Sequence, residues 1–168
     1  MSSRILSRRR WKLHAHNQHI VIRNGMNERF VHPLMKALLW ALYLPDYPNM
    51  SVEIRIGDKY RPDVVAFDPA PPVYQVREPV FWGEAGRVGR DKIESLARRY
   101  PDTHFAIGKW DTSLRPHADI IQQALDDTTR RAPFDLISFP PHSADFIDDD
   151  GHIHITLDDV TWQRFEAD

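Results

Sequence analysis

Two carboxylates border the apolar runs that dominate the middle of the chain. One is Asp63, in Arg61-Pro62-Asp63-Val64-Val65-Ala66-Phe67, and the other is Glu84, in Val80-Phe81-Trp82-Gly83-Glu84-Ala85-Gly86. If the runs pair as an antiparallel hairpin with Phe67 opposite Val80, Asp63 falls opposite Glu84. Cross-strand Cβ atoms then lie about 4.5–5.5 Å apart, close enough for both acids to hold one divalent cation, the usual way Mg²⁺ is bound. Basic residues follow at once: Arg87, Arg90, Lys92, Arg98 and Arg99. Lys92 precedes the apolar Leu96 by four residues, so on a helix it can point back toward the sheet.

These residues need elements to position them. Val31, Leu34, Met35, Leu38 and Leu42 recur at helical spacing and predict a buried helix over 26–44, with Asn24 or Asn27 as its cap. Glu28 falls at the amino-terminal end of its buried stripe, either as a site acid or as a first-turn acid favoured by the helix dipole. Alternation predicts strands over 52–56, 59–67 and 80–84, three antiparallel strands in series. After the loop Gly86–Gly89, Asp91 or a neighbour caps a helix burying Ile93, Leu96, Ala97 and Tyr100. A strand over 103–109, a helix over 116–131 and a strand over 134–139 follow. Strand–helix–strand alternation implies parallel crossovers, so the expected fold is α/β, a mixed central sheet flanked by helices. Asp149-Asp150-Gly151 suits a tight turn and predicts a C-terminal β-hairpin.

The chain has 168 residues, 42% of them hydrophobic, which suits one domain over 1–168 with residues 1–10 as a flexible basic leader. No run approaches a membrane helix and there is no cysteine, so neither a membrane nor a disulfide partner is expected; the composition places the protein in the cytoplasm. The net charge of −2 divides unevenly, at +5 over residues 1–140 and −7 over 141–168. Such asymmetry marks either a nucleic-acid face with an acidic tail or simply a solvated surface. His14, His16 and His19 offer a metal-ligand reading, but strand alternation turns His14 and His16, and likewise His152 and His154, toward water. Walker, dinucleotide-binding and G-x-S-x-G motifs are all missing.

In its order of elements, the chain resembles the PD-(D/E)xK nuclease superfamily and, more narrowly, the YaeQ family. The likeness runs from about Glu28 to Leu157: Asn27-Glu28-Arg29 entering a Leu-rich helix, Pro62-Asp63, the strand ending Glu84-Ala85-Gly86, the helix around Lys92, the strand 136–140 and the closing Asp-Gly hairpin. The resemblance implies a PD-(D/E)xK core and a Mg²⁺- or Mn²⁺-dependent nuclease acting on DNA or RNA phosphodiesters. Asp63, Glu84 and the Ala85 carbonyl would be metal ligands, Glu28 the helix acid, and Arg87 and Arg90 substrate contacts. The motif lysine falls at Gly86, which has no side chain. Lys92 is the expected replacement, with Arg90 second, since an arginine is a poor proton acceptor. Two other readings stand beside this one: a non-catalytic nuclease fold that binds nucleic acid or a protein partner, and an ion-pair network with a purely structural role.

Overall fold

The computed structural model describes residues 1–25, 30–69 and 77–168; Glu28 and the proline-broken segment after Pro69 lie outside the described residues. A six-stranded mixed sheet organises the fold. Its strands are β3 (Ser51–Val52), β4 (Val64–Phe67), β5 (Pro79–Ala85), β6 (His104–Trp110), β7 (Phe134–Phe139) and β8 (Thr161–Phe165), in that spatial order. The pairs β3/β4, β4/β5 and β7/β8 are antiparallel, whereas β5/β6 and β6/β7 are parallel.

The parallel pairs are joined by α3 (Arg90–Arg99) and α4 (Arg115–Leu125). Both helices lie on one face, where Ile93, Leu96, Ala97, Ile121 and Ala124 pack on Trp82, Phe105, Ile107 and Leu136. The opposite face carries α2 (Val31–Tyr43), every residue of which is buried from Pro33 to Tyr43. A helix that is apolar all round must be covered all round. The sheet covers one side, and a hairpin of β1 (Arg10–Ala15) and β2 (Gln18–Arg23) contributes Trp11, Leu13, Ile20 and Ile22 to the same core. Pro33 is harmless as the third helical residue, where its missing N–H has no intrahelical partner to lose.

Several expected boundaries move. Residues 3–6 form a helical turn, α1 (Ser3–Leu6), that buries Ile5. The strand expected over 52–56 ends at Val52 because Glu53 turns left-handed at φ 55°. The one expected over 59–67 starts only at Val64. Gly89, not Asp91, caps α3, and Phe30 rather than an asparagine precedes α2. The helix expected to reach Arg131 stops at Leu125. The C-terminal hairpin is reduced to a single bridge, Ile147 to Ile153, after a 3₁₀ turn over Ser143–Phe146. Beyond it, β8 closes the sheet edge, a strand the sequence pattern does not announce.

Candidate functional site

Asp63 and Glu84 are brought close enough at the end of β5 for the charge of one to act on the other. Val64 pairs with Gly83, and the Asp63 N–H donates to the Gly83 carbonyl at 3.1 Å, so Asp63 lies beside the end of β5 that carries Glu84. A bulge between Ala66 and Phe67 moves Phe67 onto Pro79 instead of Val80, without disturbing the acid end of the ladder. The pair sits where β5 ends, at the carboxyl ends of the parallel strands, the usual place for a ligand in an open α/β sheet.

Each acid receives a cation from a different helical layer. Glu84 shares the face of Trp82, and its Oε1 accepts from Trp82 Nε1 at 2.8 Å and from Lys92 Nζ, in the first turn of α3, at 2.9 Å. Lys92 Nζ also lies 5.1 Å from the Tyr60 ring centre. Asp63 is reached from α2: Lys36 Nζ is 3.6 Å from Oδ1, and His32 Nε2 is 3.7 Å from Oδ2. Asp63 Oδ2 accepts the Ala85 N–H at 2.8 Å, and Lys36 also donates to Glu53 at 2.8 Å. His32 Nε2 lies 3.1 Å from the Ala85 carbonyl oxygen, which can only accept, so this nitrogen carries the proton.

The two environments push the acids in opposite directions. Burial drives the Glu84 carboxyl up; Lys92 and Trp82 pull it down, the Asp63 charge adds to the rise, and the net result is upward. Burial acts the same way on Asp63, but His32, the Ala85 N–H and Lys36 outweigh it and hold the carboxyl below its ordinary value. At neutral pH Asp63 is the firmly ionised member, while Glu84 is an under-compensated buried charge.

Gly86 ends the strand at φ 90°, in the left-handed region where a side chain is strained. The lack of a side chain at position 86 therefore has a backbone cause. Lys92 enters the site from α3, as its helical spacing suggests. Arg87 stands exposed on the following loop, whereas Arg90 reaches toward Gln123 on α4 at 3.4 Å, away from the acids. Arg98 and Arg99 are engaged elsewhere, by Glu94 and Asp58. Sequence reasoning missed His32, Lys36, Glu53, Trp82 and Lys109. His32 and Lys36 stand four apart on one helix, a spacing that signals a shared face. Lys109, whose Nζ donates to the Gly86 carbonyl at 2.6 Å, is placed by the parallel register alone.

Asp63, Glu84 and the Ala85 carbonyl offer oxygen donors, the kind a hard divalent cation takes, and Mg²⁺ commonly uses only one or two carboxylates besides water. The under-compensated charge of Glu84 is the electrostatic condition in which added positive charge is bound. Among the described residues, no group of three or more His, Asp or Glu side chains converges to hold a metal.

Neither a family model nor a curated protein matches the chain. Solved structures do. The YaeQ protein from Pseudomonas syringae superposes with a TM-score of 0.60 at 13% identity, covering 91% of this chain and 87% of that one. The YaeQ protein from Xanthomonas axonopodis pv. citri gives a TM-score of 0.51 at 12% identity, covering 77% of this chain and 72% of that one. At such identities the likeness is one of fold.

Proposed function

We propose that this chain, which has the fold of the YaeQ proteins, carries at Asp63 and Glu84 a PD-(D/E)xK-type site for metal-dependent hydrolysis of nucleic-acid phosphodiesters. The observation that carries this reading is the Lys92–Glu84 contact of 2.9 Å, which brings an ammonium group to the acid pair although position 86 is glycine. A phosphodiester repels hydroxide, so hydrolysis needs positive charge beside the scissile group. Mg²⁺ or Mn²⁺ held by Asp63, Glu84 and the Ala85 carbonyl would supply that charge and make a water easier to deprotonate.

The chain's own groups do the positioning. Trp82 Nε1 and Lys92 Nζ fix Glu84 Oε1 in one orientation. Because burial raises its proton affinity, Glu84 is the acid suited to accept a proton from an attacking water. Asp63, held ionised by Lys36 and His32, keeps a permanent negative charge on the other strand. His32 also fixes the Ala85 carbonyl. Arg87, exposed on the loop after β5, would contact the nucleic-acid backbone.

Cleavage of plasmid DNA, single-stranded DNA and structured RNA, each with Mg²⁺ and Mn²⁺, tests the reading. Loss of cleavage in Glu84→Gln is expected; equal residual activity in both proteins would overturn it.

One observation favours a second reading, a non-catalytic protein that binds nucleic acid or a protein partner. Asp63 Oδ2, Glu84 Oε1 and the Ala85 carbonyl oxygen each face a donor from within the chain, among them Lys92 and His32, which stand where a cation would. Titration calorimetry separates the two: Mn²⁺ binding that Asp63→Asn abolishes supports the metal site, and no binding supports the second reading.

A further inference from the structure

We propose that Lys109 and Arg87 form an anion subsite at the carboxyl ends of β5 and β6, which receives a phosphate group of the substrate. The parallel register sets Ala85 beside Gly108, and one step further on sets Gly86 beside Lys109. Lys109 follows Phe105 and Ile107 in strand alternation, so it shares the α3/α4 face with Trp82 and Glu84. It is half-buried against Val88, Ile93, Ile107 and Ile121, and His117 of α4 lines the same small cavity.

The charge around this lysine is what points to a ligand. Lys92 is committed to Glu84 and lies over Tyr60, and Lys36 is committed to Glu53 and Asp63. Lys109 instead donates to a neutral carbonyl, that of Gly86, at 2.6 Å. No ion pair to a carboxylate is found for it among the described residues, and the neighbouring charge acting on it is the like charge of Arg87. Burial and Arg87 together push its ammonium down, and Lys109 in turn pushes His117 down after burial does. A half-buried cation that meets only a carbonyl, with a second cation acting on it, is an electrostatic cost that an anion would relieve. Phosphate is the matching anion: Lys109 brings a point charge and Arg87 a planar fork. That identification rests on the acid pair being a phosphodiester site; the subsite itself rests on the unbalanced charge.

The test is metal-free binding of a fluorescent oligothymidylate, measured as a function of salt, beside binding of inorganic phosphate. Lys109→Met, which keeps the apolar stem, is expected to weaken oligothymidylate binding about tenfold and to lower the salt slope by about 0.7, the value for one phosphate contact on a single strand. Lys109→Arg is expected to keep most of the affinity. Weakened oligothymidylate binding with no detectable phosphate binding assigns the subsite to a polymer backbone; weakening of both assigns it to phosphate in general. Arg87→Gln, at an exposed position, must also weaken binding, and it decides the matter if Lys109→Met melts early. Wild-type affinity and slope in these variants, or no binding of either probe to wild type, would overturn the subsite. Anion binding that depends on Lys109 without cleavage under any metal would refute hydrolysis and leave the subsite standing. Cleavage in Lys109→Met with unchanged binding would do the reverse.

Discussion

The two ends of the sheet bury carboxylates in opposite ways. At the amino end of β7, Asp135 is fully buried and takes four donors: Tyr43 at 2.7 Å, His104 Nε2 at 2.7 Å, and Arg164 Nε and Nη2 at 2.8 and 2.9 Å. Tyr47 extends the chain by donating to His104 Nδ1 at 2.9 Å. Burial pushes the Asp135 carboxyl up, but these donors outweigh it and bring it down to about 2. At the carboxyl end of β5, Glu84 is 7% exposed and its Oε1 takes two donors, and there burial wins. One end is a satisfied hub that joins α2, β6, β7 and β8. The other keeps an acid whose charge the fold does not fully compensate. Buried acids of the first kind hold structure together; those of the second kind are where function is sought.

The contrast breaks most visibly on mutation. Asp135→Ala leaves Arg164 and His104 without their acceptor and is expected to cost about 3–5 kcal/mol in a denaturant melt, the range for breaking a buried ion pair. A loss well below that would mean the hub is not what joins the strands. Acid sharpens the same point. Because the folded Asp135 value, about 2, lies below the ordinary 3.8, its contribution is fully present above about pH 4 and is lost as pH falls toward 2. A shift of that size amounts to about 2–3 kcal/mol, read as the difference in acid midpoint between wild type and Asp135→Asn.

At the other end the effects are smaller. Trp82→Phe removes the N–H that Glu84 Oε1 accepts and leaves a smaller ring in a fully buried place, and is expected to cost at least about 1.5–3 kcal/mol at neutral pH, the range for a hydrogen bond to a charged group. Lowering the pH should shrink that cost as Glu84 takes up a proton. Gly86→Lys restores the motif residue in sequence only. With φ at 90° it should cost about 1–2 kcal/mol and leave any cleavage no faster. Glu84→Gln should have the smallest effect on stability. The folded Glu84 value is raised, so its charge penalty is present at pH above that value and vanishes as pH falls. Neutral glutamine should therefore match or exceed wild-type stability near pH 7 and lose that advantage in acid.

The sequence announces these two ends unequally. The pairing of β4 with β5 is legible because two apolar runs flanking a loop leave few registers, and the bulge at Ala66/Phe67 falls beyond the acids. Lys92 is legible through helical spacing, and the parallel crossovers through the alternation of elements. Long-range contacts decide the rest. Glu53 leaves the strand to meet Lys36, which cuts β3 short. The chain after α4 turns so that the buried Arg130 donates to the carbonyls of Ala97, Tyr100 and Thr103, and no local pattern foretells that. β8 escapes notice because an edge strand with Thr161 to Arg164 exposed has no apolar alternation to display. Asp135 sits inside the apolar run of β7, and only the fold brings Tyr43, His104 and Arg164 to it.

The most direct measurement is the melting temperature of wild type and Glu84→Gln with and without Mn²⁺. A ligand at 100 times its dissociation constant stabilises the folded state by about 2.7 kcal/mol, which for a chain of this size means a rise of several degrees. The expected result is such a rise in wild type and none in Glu84→Gln, with the metal-free variant melting no lower than wild type. No rise in wild type, or an equal rise in both proteins, would contradict a cation site at Asp63 and Glu84.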